Sequence, residues 1–198
     1  MSARAGLGLA LIALLFALPV VPGVPTYWIT LLDNAGLAAL VVIGLVLLTG
    51  VGGMTSFGQA AFCGFGAFTT AVLSTRYGVS PWLTLFASAA VTLVSAAVLG
   101  VLTVRLSGHY LPLGTLCWGL ALYFLFGRLE FLGRHDGVTA IPPLVVLGYP
   151  LSDVRAIYYP IWIFVLLAAW GSANLLDSLI GRAVRALRGA TQIGRAHV

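Results

Sequence analysis

One glycine-rich stretch, residues 52–68, is the most informative feature of this sequence, because polar side chains that could contact a solute occur there among paired glycines. It lies between long apolar runs, yet Thr55, Ser56 and Gln59 bring hydroxyl and amide groups into it. Backbone that departs from helix at membrane depth is tolerated only where it is buried in protein or lines a water-filled cavity. Paired glycines followed by such side chains therefore indicate a translocation path or a close helix crossing.

We assign these residues to the path: Gly53, Ser56, Gly58, Gln59 and Thr115. Ser56 and Gln59 could form transient hydrogen bonds with a solute, while the glycines permit turns and close backbone approach. Two structural alternatives stay open. The Gln59 amide could instead bridge two helices, and the Thr115 hydroxyl could bond back to a carbonyl of its own helix.

No catalytic residue and no metal site is assigned. His109 and His135 are single histidines without partners at ligand spacing, and Cys63 and Cys117 lie inside apolar runs, where they are interpreted as small packing residues. The sequence contains no lysine, which excludes a P-loop ATPase and Schiff-base chemistry. Its arginines are scattered, so nucleic-acid binding is not expected.

The composition is that of a membrane protein. The chain is 61% hydrophobic and 8% charged, whereas soluble domains carry roughly 25% charged residues. A crossing helix needs about 20 mostly apolar residues, and the runs that approach this length are residues 6–21, 31–48, 82–104, 111–127 and 158–180. A further run, residues 60–73, is short and interrupted by Gly64 and Gly66. We therefore expect an all-α, polytopic transmembrane helical bundle with about six crossings, one of them short or broken.

Arginine placement predicts the orientation, because cytoplasmic ends carry an excess of positive charge. The excess has the expected sign when the N-terminus is cytoplasmic and Arg4, Arg105, Arg182, Arg185 and Arg188 lie inside. The connection over residues 128–157 is then external, and its glycines and prolines favour a structured, turn-rich excursion. An ordinary solvated loop is the alternative. Asp33 and Asn34, near an end of the second run, are expected to lie in the membrane interface.

The last residues, 191–198, do not resemble the end of a membrane domain. Residues 193–198 can be back-translated as ATC GGA AGA GCA CAC GTC, which resembles a common sequencing-library adapter. We therefore expect genuine coding sequence to end near Gln192, so that residues 191–198 are a non-native tail and the chain is an N-terminal fragment. A short natural tail is the alternative.

The glycine-rich stretch resembles the signature of one family. Residues 49–67 are similar to the pattern Gly-x-x-Ser-x-Gly-Gln-Ala-x-Phe-x-Gly-x-Gly-Ala. Residues 105–116 follow a second motif of the same family, although Pro112 stands where that family usually has no proline. The family is the permease subunits of branched-chain amino-acid ABC transporters, particularly the LivM type.

Two more segments extend the resemblance, which covers about residues 37–188. Residues 133–142 are similar to the family's glycine-rich external loop, with Arg134 and Ala140 in place of residues that are usually glycine. Residues 181–188 look like the start of the cytoplasmic loop that docks on the ATPase.

The resemblance implies an importer subunit for branched-chain amino acids or related small polar solutes. Residues 1–190 would form part of a permease domain in the plasma (inner) membrane of a bacterium. A periplasmic solute-binding protein would dock at Asp136 and Gly137, and a second, related permease subunit would complete the pore. Two separate ATPase subunits would use the ATP, so that this chain binds no cofactor, and would dock on Arg182, Arg185 and Arg188.

Two other classes of function stay open. An integral membrane enzyme would use His135 and Asp136 as an acid–base pair, but no nucleophile or metal cluster accompanies them in the sequence. An ATP-independent secondary transporter would need a buried ionisable residue for coupling. Between residues 37 and 127 the charged residues are Arg76 and Arg105, both at expected span ends.

Overall fold

The computed structural model describes residues 3–21, 23–103, 106, 110–146, 149–179 and 181–183. Within these residues the helices are α1 (Ala3–Ala17), α2 (Thr26–Leu45), α3 (Gln59–Arg76), α4 (Pro81–Thr103), α5 (Tyr110–Arg128) and α6 (Val154–Asp177). A 3₁₀ turn, Leu18–Val20, follows α1, and a π-helical segment, Val46–Val51, follows α2. Between α5 and α6 lie two 3₁₀ turns, Glu130–Leu132 and Arg134–Asp136, and the antiparallel strands β1 (Val145–Val146) and β2 (Tyr149–Pro150).

In the part of the chain that the structure describes, four helical segments are long and apolar enough to cross a membrane: Thr26–Val51, Pro81–Thr103, Tyr110–Arg128 and Val154–Asp177. Their large apolar side chains are widely exposed; Leu93, for example, is 72% exposed and Phe86 is 71% exposed. Apolar surface on this scale requires a lipid environment. The prediction of an all-α, polytopic membrane bundle is therefore confirmed.

The short glycine-rich run is a continuous helix. Helix α3 has 18 residues and passes through Gly64 and Gly66 without interruption, so the helical break in this region precedes Gln59. Gly64 lies under an aromatic ring of α5, because a methyl group there would lie 2.7 Å from Cε2 of Phe126. This close contact explains why position 64 is glycine, although glycine in a helix interior lowers helix stability by about 1 kcal/mol relative to alanine.

Local signals explain where two helices begin. Pro112 falls in the first turn of α5, where its missing N–H removes no intrahelical hydrogen bond. The unusual proline is therefore accommodated without a kink. Asp153 is the N-cap of α6, and its carboxylate accepts a hydrogen bond from the Arg155 N–H at 3.4 Å.

The chain divides into two compact units. The first unit comprises Met1–Ile43 and Leu151–Ser178 and contains α1, most of α2 and α6. The second unit comprises Gly44–Pro150 and Leu179–Val198 and contains the π-helical segment, α3, α4, α5 and the strands.

Side chains of α6 hold the first unit together. The Arg155 guanidinium donates hydrogen bonds to the carbonyls of Pro19, at 2.8 Å, and Val24, at 3.0 Å. The Tyr158 hydroxyl, on a fully buried side chain, donates to the Leu15 carbonyl at 3.0 Å. These bonds satisfy carbonyls that the end of α1 and the following connection leave without helical partners.

One carboxyl group is buried in the first unit. Asp33 on α2 is 8% exposed, and its Oδ1 has no hydrogen-bond partner among the described residues. The buried Nε1 of Trp162 on α6 also has no hydrogen-bond partner among them. Gly36, one turn after Asp33, lets the two helices approach closely, because a methyl group there would lie 2.7 Å from Cγ2 of Ile161 on α6. The Asp33 side chain, expected in the membrane interface, is thus covered by protein.

In the second unit, α3 packs chiefly against α4. The indole N–H of Trp82, at the start of α4, donates to the Val145 carbonyl at 2.8 Å. At the end of α3, the Arg76 guanidinium lies 4.5 Å from the centroid of the Phe131 ring. The connection after α5 is therefore anchored on the ends of α3 and α4, as a structured, turn-rich segment, which confirms that prediction.

Candidate translocation site

The backbone leaves helix α2 through a widened, π-helical turn. The Gly52 N–H donates to the Leu47 carbonyl at 3.1 Å, and the Met54 N–H donates to the Leu48 carbonyl at 3.2 Å. A methyl group at Gly52 would lie 2.6 Å from the Leu48 oxygen, and Gly53 has φ +68. Only glycine fits at position 52, and the positive φ of Gly53 is a backbone conformation that favours glycine. The glycine pair therefore ends the helix at this point.

Residues 53–58 have no regular secondary structure and lie against α5; we call this stretch between the π-helical segment and α3 the extended segment. The Phe57 N–H donates to Oγ1 of Thr115 at 3.0 Å, and that hydroxyl donates to the Pro112 carbonyl at 3.0 Å. A hydroxyl has one hydrogen to donate and can accept as well, so Thr115 serves both bonds together. The bond back within its own helix is present, the bond from Phe57 is a second one, and the assignment of Thr115 to the path stays a prediction.

Ser56 supports the same segment from within. Its side chain is buried, and its Oγ accepts a hydrogen bond from the Gly58 N–H at 3.4 Å. Such a serine turn stabilises a local bend without a helix. Gly58 lies close to α5, because a methyl group there would be 3.6 Å from the Thr115 carbonyl oxygen. That distance is an ordinary contact, so space alone does not require glycine at Gly58.

A cavity of about 500 Å³ adjoins the segment. We call it the first cavity; its hydroxyl-bearing lining residues are Ser56, Thr103 and Thr115. The remaining lining residues are Leu48, Met54, Gly58, Ala61, Phe62, Ala96, Leu99, Gly100, Leu106, Leu111, Trp118 and Gly119. None of these carries a charge, so the cavity offers apolar contact and a few hydroxyls to a guest.

A second cavity, of about 310 Å³, lies between α3, α5 and the connection that follows α5. Its lining residues are Ala60, Ala61, Gly64, Phe68, Gly119, Tyr123, Phe126, Gly127, Arg134 and Gly137. Arg134 also forms an ion pair with Glu130. This second cavity therefore has a cationic side chain in its wall, unlike the first.

The assigned path residues divide into two groups. Ser56, Gly58 and Thr115 line the first cavity, although they are far apart in sequence. Gly53 and Gln59 line neither cavity. Gln59 is the first residue of α3 and is half-buried. The role of all five assigned residues in transport stays a prediction.

The assigned docking residues lie in different settings. Gly137 lines the second cavity and the adjacent Asp136 is exposed in a 3₁₀ turn. Arg182 is exposed just beyond α6, whereas Arg185 and Arg188 lie outside the described residues. Docking of either partner stays a prediction.

Three cavity residues that matter for shape were not assigned from the sequence: Ala61, Trp118 and Gly119. Trp118 and Gly119 follow Thr115 at the helical spacing of three and four residues, which places them on the same face of α5. That spacing was a usable signal. Nothing local to the sequence marked Ala61, because its position depends on the packing of α3.

In the connection after α5, two residues other than glycine have the left-handed backbone conformation that glycine adopts most readily. Arg134 has φ 54 and Ala140 has φ 59, and they are the non-glycine residues with positive φ in the described part of the chain. A left-handed conformation costs roughly 1–2 kcal/mol for a residue with a β-carbon. Both positions are those at which the resembling family usually has glycine, and here they adopt the left-handed conformation that glycine adopts without this cost.

Comparison with known proteins agrees with this architecture. Residues 25–196 match the family described as "Branched-chain amino acid transport system / permease component". The chain therefore belongs to the branched-chain amino-acid permease family, and it is a multi-pass membrane protein. No solved structure gives a significant match.

The relatives found are both high-affinity branched-chain amino acid transport system permease proteins named LivM. The one from Salmonella typhimurium is 31% identical over 111 residues, which are 56% of this chain and 26% of that protein. The one from Escherichia coli is 30% identical over 124 residues, which are 61% of this chain and 29% of that protein. The matched region thus spans less than a third of either relative.

Proposed function

We propose that this chain is a permease subunit of an ATP-driven importer in a bacterial inner membrane. The solute would be a branched-chain amino acid or a related small polar compound. The observation that carries the proposal is the break between α2 and α3: an extended segment, held by Thr115, beside a largely apolar cavity. Family membership supports transport, and the names of the relatives supply the solute class.

The two cavities suit different parts of such a solute. The first cavity would accept an aliphatic side chain, because apolar contact dominates its lining. The hydroxyls of Ser56 and Thr103 would contact the polar end of the solute briefly. In the second cavity, Arg134 would attract a carboxylate.

Coupling would come from partner proteins. A periplasmic binding protein would deliver the solute at Asp136 and Gly137, and two ATPase subunits would grip the chain beyond Arg182. A second permease subunit would complete the pore. The N-terminus would lie in the cytoplasm, which places the connection after α5 outside.

The direct experiment is uptake by proteoliposomes that contain the complete complex, with binding protein outside and ATP inside. We expect labelled leucine to accumulate only with hydrolysable ATP. Replacing the P-loop lysine of the ATPase subunits should abolish accumulation while the complex remains assembled. Uptake that continues without ATP would overturn the proposal.

One observation favours a second candidate, an ATP-independent secondary transporter. Asp33 is a buried carboxyl whose Oδ1 has no hydrogen-bond partner within the part of the chain that the structure describes, and buried ionisable residues in membrane helices often mark ion or proton sites. Uptake driven by a proton gradient, and lost in Asp33→Asn, would support that candidate. Family membership favours the importer.

A further inference from the structure

The two cavities follow one another along a single face of α5. The first cavity takes Leu111, Thr115, Trp118 and Gly119 from this helix, and the second takes Gly119, Tyr123, Phe126 and Gly127. These positions recur at helical spacing. At 1.5 Å per residue, a stripe from position 111 to position 127 is about 24 Å long, which approaches the roughly 30 Å of a hydrocarbon core.

Among the described residues, Ala61 on α3 and Gly119 on α5 line both cavities. Ala61 is 5% exposed. A methyl group at Gly119 would lie 3.7 Å from the Phe57 oxygen and 4.0 Å from the Gly58 Cα. The two cavities therefore adjoin at small side chains, and backbone of the extended segment lies in contact distance of Gly119.

The extended segment is tied to α5 at this same level. The Phe57 N–H donates to Thr115 Oγ1, and Thr115 lies one helical turn before Gly119 on α5. The Phe57 side chain itself is 58% exposed and adds little packing to hold the segment. Loss of one hydrogen bond would free the Phe57 backbone from α5.

We infer that Ala61 and Gly119 form a gate between the two cavities and that the Phe57–Thr115 hydrogen bond is the latch that holds it closed. Passage between the cavities requires the extended segment to move away from Gly119. This inference rests on the proposed function, since it treats the two cavities as consecutive parts of one path. It assigns Thr115 to closure of the path, rather than to contact with the solute.

The test is the accessibility of a cysteine in the first cavity to a charged thiol reagent from the side of the second cavity. The complete complex is reconstituted with Ala96→Cys, after both exposed native cysteines, Cys63 and Cys117, are replaced by alanine. An impermeant methanethiosulfonate is added on the side of Arg134, without solute or ATP. The labelling rate is then compared among variants of the latch and the gate.

Thr115→Val keeps the shape of the side chain and removes both of its hydrogen bonds. We expect it to raise the labelling rate at least fivefold. Thr103→Val is the matched control, because Thr103 also lines the first cavity but its hydroxyl bonds only to Leu99 and Gly100 of its own helix. Two results would contradict the role of the Phe57–Thr115 hydrogen bond as a latch. One is an equal labelling rate in the Thr115→Val variant and the parent; the other is an equal rise in the Thr115→Val and Thr103→Val variants.

Gly119→Val tests the gate without removing a hydrogen bond. Its branched side chain should narrow the boundary and reduce labelling in the Thr115→Val background to the parental rate. Gly100→Val is its control, because a side chain at Gly100 meets nothing within 4 Å although the residue lines the first cavity. Unchanged labelling in the Gly119 variant would overturn the gate.

The labelling assay separates this inference from the proposed function. If labelling follows the expected pattern but leucine never accumulates with ATP, the gate stands and the importer proposal fails. If ATP drives uptake but labelling does not respond to Thr115, the importer stands and the latch fails.

Discussion

The two units hold their segments in place by different contacts. In the first unit, Arg155 and Tyr158 donate hydrogen bonds to carbonyls that are more than 130 residues away in sequence. In the second unit, the extended segment before α3 meets α5 through the bond from Phe57 to Thr115, and two cavities adjoin this contact. Backbone fixed by several bonds opens less readily than backbone fixed by one. We therefore expect the first unit to stay fixed during transport and the extended segment of the second unit to move.

The largest expected effect is on the first unit. Arg155→Ala should lower the free energy of unfolding by about 3 kcal/mol, because hydrogen bonds from a charged donor contribute about 1.5–3 kcal/mol each and the carbonyls of Pro19 and Val24 would lose theirs. Thermal unfolding of the purified protein in nanodiscs measures this. Arg155→Lys, which can reach one carbonyl but not both, should recover about half of the loss. A stability equal to the parent would show that these bonds do not fix the unit.

A smaller loss is expected where the second unit begins. Gly52→Ala places a methyl group 2.6 Å from the Leu48 carbonyl oxygen, and overpacking of this kind costs about 2 kcal/mol. Gly100→Ala is the control, since that position is open and alanine is the better helix former. The same unfolding measurement should separate the two variants; equal stabilities would contradict a tight π-helical exit from α2.

A gain in stability is expected at the buried carboxyl of the first unit. Asp33→Asn replaces a buried carboxyl, whose Oδ1 has no hydrogen-bond partner among the described residues, with a neutral amide, which should raise the free energy of unfolding by about 1.5 kcal/mol. The exposed Asp177→Asn should change it by less than about 0.5 kcal/mol. An Asn variant that is less stable than the parent would show that Asp33 has a favourable role in the first unit.

The smallest effect is expected in the connection after α5. Ala140→Gly should stabilise the second unit by about 1 kcal/mol, because glycine adopts positive φ without the steric cost of a β-carbon. The same replacement at Ala169, inside α6, should cost about 1 kcal/mol. Opposite signs for the two alanines would confirm the left-handed conformation of Ala140, and the same sign would contradict it.

Much of the architecture could be predicted from the sequence because it depends on local properties. Four of the five long apolar runs correspond to the described segments that are long enough to cross a membrane, whereas residues 6–21 fall in the shorter helix α1 and the 3₁₀ turn after it. Glycines and prolines predicted a turn-rich connection after α5. Gly52 and Gly53 predicted the break after α2. The break was correctly located there, but Gly64 and Gly66 do not interrupt α3. Their role depends on packing, as the contact of Gly64 with Phe126 shows.

The candidate site could be predicted only in part. Ser56, Gly58 and Thr115 were assigned together and do line one cavity, whereas Gly53 and Gln59 do not. Ala61 and Gly119 were not assigned, because small residues are common in membrane helices and their sequence context does not reveal which helix they face.

The sequence by itself therefore determined the membrane class, the helices and the position of the break in the backbone. These follow from hydropathy, chain length and glycine stereochemistry, which act within a few residues. Only the tertiary structure decided that Phe57 bonds to Thr115, 58 positions later, and that Asp33 is buried. Such contacts join distant segments, and their pairing is selected by the packing of whole helices, which no local pattern specifies.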